Sequence, residues 1–205
     1  AEARRDDPEC AMCYWGEALA TGPNINVTSK GKAIMMPVDR VAAQAAVEAA
    51  LARADSATER ERDLINAQAA RYNGDEATPR DPMDIAYAQA MREVAAKYPD
   101  DDDIQAMFAE ALMNTMPWDY WLDAQSPKPE TAEVIAALET VMARNPSHPL
   151  ALHLYIHAVE ASSDPGRAEG AADKLTDMVP INACPRAHPL ARAASSPGTD
   201  ARARR

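Results

Sequence analysis

Four times along this chain a helix-opening residue stands twelve positions ahead of a small residue on an apolar stripe. The pairs are Pro8 and Ala20, Asp55 and Ala67, Pro99 and Ala111, and Pro146 and Ala158, and the openers step by 47, 44 and 47 residues. A recurrence of that length with helical apolar periodicity inside each unit marks stacked two-helix repeats, because one unit cannot bury its own apolar face without neighbours. The spacing predicts an all-α solenoid of about four helix pairs with long connections inside the pairs.

Local signals place the helices. Asp7-Pro8 predicts the start of the first, since proline suits the first helical turn, and Gly22-Pro23 its stop. Pro37 opens a second over 38–54, and Ser56-Ala-Thr-Glu59 reads as the capping box of a third that ends near Asn73-Gly74. Asp81-Pro82 opens a fourth, closed at Tyr98-Pro99, and the run Asp100 to Asp103 places carboxylates at the positive end of a fifth over 104–116, a solvated start. A connection with Pro117, Trp118, Tyr120 and Trp121 leads to a sixth from Pro129 to Arg144. Ser147 caps a seventh over 150–162, and Asp164-Pro165 opens an eighth to Met178. The second helices start at Pro37, Pro82, Pro129 and Pro165, so the last step shortens to 36 residues. Residues 1–180 form the helical repeat domain. Residues 181–205 turn to Arg and Ala without apolar period and are expected to be a disordered tail.

Charge narrows the function classes. The tail carries five arginines and one aspartate, so it takes +4 of the net −11 and leaves residues 1–180 at −15. A body of that sign repels phosphates, which argues against nucleic acid as partner. No apolar run reaches 18 residues, which argues against a membrane span. Cys10, Cys13 and Cys184 make an odd count and no disulfide framework.

Several stretches together resemble a known group. Asp7-Pro-Glu-Cys-Ala-Met-Cys-Tyr-Trp-Gly16, Gly22-Pro-Asn-Ile-Asn26, Glu110-Ala-Leu-Met113 with Pro117-Trp118, and the run from His148 to Ser162 resemble exported bacterial tetratricopeptide-repeat (TPR) proteins. The likeness covers nearly all of 7–180. It implies a TPR-like α-solenoid and a periplasmic or extracellular location, with a scaffold and no established reaction. Proteins of this group usually begin earlier, with a signal peptide and a partner helix, and continue past Val179-Pro180 with a histidine-containing segment and further repeats. The resemblance therefore implies a fragment or truncated form, and the sequence at 181–190 departs from the pattern as a shifted reading frame would.

Setting the openers in register sorts side chains by direction. Positions five, eight, nine and twelve after the opener gather on one side, exemplified by Ile104, Met107, Phe108 and Ala111, and by Ala151, Leu154, Tyr155 and Ala158; this is the expected core. Positions seven and eleven lie well away from it and carry Trp15 and Leu19, Arg62 and Asn66, Ala106 and Glu110, and His153 and His157. That second stripe is expected to face a groove or solvent.

Several groups of these residues bear on chemistry. His153, His157 and Glu160 share one helix face at the i, i+4 and i+7 spacing that a zinc or copper site requires. Cys10 and Cys13 form a Cys-x-x-Cys near a helix start, where thiolate or disulfide chemistry is favoured, but the register puts both on the core side and favours a structural pair of small hydrophobes. The ten methionines fit gap-filling core better than copper ligands. Trp118, Tyr120 and Trp121 suit either a peptide or carbohydrate contact or a plug between helix pairs. Catalysis has weak support, because the chain lacks a nucleophile elbow, a phosphate-cradling glycine loop and a His-Glu-x-x-His.

These observations predict a protein- or peptide-binding scaffold whose groove presents Trp15, Arg62, Asn66, Glu110, His153 and His157. The alternative is a metal-binding protein using His153, His157 and Glu160 with zinc or copper. Self-association end to end is a further expectation, since an uncovered solenoid end exposes apolar surface.

Overall fold

The computed structural model describes residues 2–29, 31–73, 75 and 78–178. The expected tail at 181–205 lies outside the described residues. Among the described residues the fold is all-α apart from two short hairpins.

A short helix α1 (Glu2–Asp6) leads into four pairs: α2 (Ala11–Thr21) with α3 (Pro37–Leu51), α4 (Glu59–Ala69) with α5 (Arg80–Lys97), α6 (Asp102–Thr115) with α7 (Pro129–Arg144), and α8 (Pro149–Val159) with α9 (Glu169–Met178). Helices pack in chain order, and α2 also touches α4 as α6 touches α8. Strands β1 (Thr28–Ser29) and β2 (Lys32–Ala33) pair antiparallel in the first connection, and β3 (Trp121–Asp123) and β4 (Ser126–Pro127) in the third. Helical periodicity carries no trace of such two- and three-residue strands, which form only because the long connections fold back on themselves. Among the described residues no helix is long and apolar enough to cross a membrane.

Three helix starts differ from the sequence expectation, each capped by a side chain slightly further along the chain. The first full helix is capped by Cys10, not by Asp7-Pro8. The capping box uses Thr58 and Glu61, two positions after Ser56 and Glu59: the Thr58 side chain accepts from the Glu61 amide, and the Glu61 carboxylate accepts from the Thr58 amide. The seventh predicted helix is capped by His148 rather than Ser147. Its Nδ1 accepts the Ala151 N–H at 3.2 Å, so Nε2 carries the proton and donates to Asp103 at 3.0 Å.

The core follows the predicted register. Ile104, Phe108 and Ala111 on α6 and Ala151, Leu154, Tyr155 and Ala158 on α8 are buried, and they join Leu64, Met91, Leu138 and Val141 in one cluster. The acidic run is solvated at Asp100 and Asp103, as expected, and it is also tied to neighbouring helices. Asp101 caps α6 through the Ile104 amide and pairs with Arg60 of α4, while Asp100 and Asp102 bind Arg144 of α7 and Asp103 binds His148. Four consecutive acids thus fasten α6 to three other helices.

Candidate functional site

The predicted stripe divides into a covered part and an open part. Trp15 is half-buried and packs against both the main core and a smaller cluster of Ala11, Ala50 and Ile65. Arg62 turns back to donate to the Ala57 carbonyl, and Asn66 is exposed. Ala106, expected to line a groove, is fully buried. Ala106 instead belongs to the main core cluster; elsewhere on this side β2 packs on α6, and the Trp118 indole Nε1–H donates to the Ile25 carbonyl at 2.6 Å. The connections of the first and third pairs therefore meet.

Glu110 is half-buried in the covered part. Burial pushes its pKa up, opposed by the nearby Arg71. Arg71, only 2% exposed, lies 4.5 Å over the Tyr87 ring and donates to the Pro23 carbonyl at 2.6 Å. Asn114, one helical turn beyond Glu110, is buried with neither side-chain polar atom hydrogen-bonded. Arg71 came from no motif, since an arginine at the end of an alanine-rich helix reads as a solvated terminus.

The open part centres on Trp118. It is 47% exposed and is the one non-glycine among the described residues with positive φ, 65°. A bulky side chain in the left-handed region is strained and persists only where surroundings hold it. Here the hold is the bond to Ile25 and an edge-on contact with His157, ring centroids 5.0 Å apart. His157 meets His153 at 4.8 Å, and its Nδ1–H donates to Glu160 at 3.1 Å, because a carboxylate only accepts. That assignment leaves Nε2 of a neutral His157 as an acceptor. Burial lowers the pKa of His153, and His157 lowers it further. Exposed Leu122 lies four residues after Trp118, in β3. The neighbouring aromatics behave differently: Tyr120 is buried, and Trp121 donates to the Ala158 carbonyl at 2.8 Å, so both close the gap between pairs while Trp118 alone is presented.

His153, His157 and Glu160 are thus close, but Glu160 holds one imidazole rather than joining it around a common point. Among the described residues no group of three or more His, Cys, Asp or Glu is placed to hold a metal ion. The cysteines overturn the expectation of a buried pair of small hydrophobes. Cys10 and Cys13 are half-buried and joined by a disulfide, because a Cys at the N-cap and one at the third helical position face each other across the first turn.

A wider cleft of about 410 Å³ lies between the β3–β4 hairpin, α7 and the α8–α9 turn, lined by Trp121, Ile135, Glu139, Ser163 and Arg167. Arg167 and Glu139 are already paired within it at 2.5 Å.

Comparison of the chain with protein-family models, with curated proteins and with solved structures gives no match.

Proposed function

We propose that this chain is a TPR-like α-solenoid of about four helix pairs that binds a protein or peptide segment, with Trp118, His157, His153 and Glu160 as the contact surface. The single observation that carries the reading is Trp118, an exposed indole held at a strained backbone angle by its own hydrogen bond. Strain of this kind is retained where it positions a side chain for use, and tryptophan anchors dominate peptide interfaces. The net charge of −15 over residues 1–180 and the exposed Glu160 favour a partner segment with a basic residue beside an apolar one. Of the other residues of the stripe, Asn66 is exposed, Glu110 lies in the covered part, and Trp15 and Arg62 are half-buried, so none of them is assigned to this contact surface. An exported, oxidising location fits the Cys10–Cys13 disulfide.

Selection from a random-peptide display library tests the reading. A shared motif enriched on the unmodified chain, and lost on both Trp118→Ala and His157→Ala chains that keep full helicity, is the expected result. Absence of enrichment, or enrichment indifferent to Trp118, refutes it.

Metal binding is the second reading, favoured by one observation: a carboxylate on Nδ1 is the outer partner that metal-binding imidazoles typically have, and it frees His157 Nε2 beside His153. Zinc or copper analysis of untagged protein, repeated on His157→Ala, decides it. Self-association is part of the proposal too, since Met36, Val38, Val41 and Leu51 are exposed within 36–51. Light scattering that stays monomeric as concentration rises would remove it.

A further inference from the structure

We propose that Cys10 and Cys13 form a redox-active couple that exchanges its disulfide with dithiols, an activity separate from partner binding. The bond spans a separation of only three residues. Stabilisation by a cross-link grows with the length of the loop it closes, so this ring is among the weakest possible staples for the fold. Its placement suits chemistry better. Cys10 is the N-cap of α2, its Sγ accepts the Cys13 N–H at 3.1 Å, and the first turn of α2 contains no acidic residue. When the pair is reduced, that amide and the positive end of the helix stabilise a thiolate on Cys10.

Basic and acidic groups both flank this turn. Arg53, at the end of α3, donates to the Pro8 carbonyl at 2.8 Å and lies 4.6 Å from the centre of the Tyr14 ring, with Arg4 5.4 Å from the same ring. Asp6, Asp7 and Glu9 oppose them, with Arg53 3.8 Å from the Glu9 carboxylate, so the helix start and the Cys13 amide carry the argument. Both cysteines are half-buried rather than enclosed, so an attacking thiolate can reach the bond.

The exchange balances without any further oxidant. A thiolate of the incoming dithiol attacks one sulfur, the other leaves as a thiolate, and the second thiol of the dithiol then displaces the mixed disulfide. Two electrons and two protons pass from the dithiol to Cys10 and Cys13, and the dithiol becomes a disulfide.

The test uses the full chain carrying Cys184→Ser, so that only the pair reports. It is equilibrated with graded ratios of reduced and oxidised dithiothreitol, with thiols counted by alkylation and mass spectrometry and helix content followed by circular dichroism. Reversible gain of two thiols with unchanged helix content is expected. In single-cysteine chains, Cys13→Ser should react with iodoacetamide at pH 6.5 at least ~10-fold faster than Cys10→Ser, since the thiolate is the nucleophile. A disulfide that resists reduced dithiothreitol in the folded chain, a loss of helix content on reduction, or equal alkylation rates would each overturn the proposal.

Discussion

Two charged regions of this molecule use the same residue types to opposite effect. At the end of the first two pairs, Arg40, Arg71, Arg80 and Asp84 are all buried, with Arg80 donating to Asp84 at 2.6 Å and Arg71 4.0 Å from it. At the start of α6, Asp100 to Asp103 meet Arg60, Arg144 and His148 close to water. The buried group leaves the Nε of both Arg71 and Arg80 without a hydrogen bond, and burial acts to raise the Asp84 pKa against the pull of both arginines. The junction at α6 satisfies its charges: Asp101 holds Arg60, Asp103 holds His148, and Asp100 and Asp102 share Arg144. The contrast teaches that charge pairs near water set which helix lies beside which, whereas the buried group makes the fold intolerant of losing any one member.

The largest expected effect is therefore Asp84→Ala, which strands Arg80 and Arg71 in the interior and should cost about 3–5 kcal/mol in urea unfolding. A loss below about 1 kcal/mol would break the comparison. Gly22→Ala comes next. A Cβ there would stand 2.7 Å from the Tyr72 hydroxyl and 2.8 Å from Arg71 Nη1. Both side chains are pinned, Tyr72 to the Ala18 carbonyl and Arg71 to Pro23, so overpacking should cost about 1–3 kcal/mol.

At the junction the numbers should fall. Asp101→Ala removes an N-cap and one pair and should cost about 1 kcal/mol. Arg92→Ala, whose partner Glu133 is similarly exposed, should cost less than about 1 kcal/mol and lose most of that in high salt.

Acidity sharpens the same contrast through signs. The hydrogen bond from Arg60 holds the Asp101 pKa below its unfolded value, helped by the Ile104 amide. Its stabilisation is present above the unfolded pKa and is lost as pH falls through the folded one. Glu110 runs the other way. Burial raises its folded pKa, so its contribution is complete below the unfolded pKa and is lost as pH rises through the folded value. Unfolding at pH 4 and pH 7 should show Glu110→Gln gaining on the parent as pH rises. In the same measurement Asp101→Asn should instead lose ground on the parent as pH rises through the acid range below about 4, where the lowered carboxyl ionises before its unfolded counterpart.

Much of the scaffold was legible because it rests on local and periodic signals. Pro129 and Arg144 bound α7 as expected, and the register that placed Ile104, Phe108 and Leu154 inside is a consequence of 3.6 residues per turn. Helix starts slipped by a few residues, since Cys10, Thr58 and His148 compete with equally plausible neighbours and only the local backbone selects among them. The site was legible in fragments. His153, His157 and Glu160 do lie together, as one helix face requires, but their division of labour depends on a tautomer that spacing does not encode.

What the amino-acid sequence determined by itself is the helices and their buried faces, because hydrophobic periodicity is a property of each segment alone. Tertiary structure decided where the long connections lie. It brought Ile25 to Trp118 across 93 residues, buried Ala106, aimed one aromatic outward while two plug the interior, and set three arginines around Asp84. Those outcomes depend on contacts between distant segments, whose geometry is fixed only when the helices stack and the polar groups of each connection must find partners.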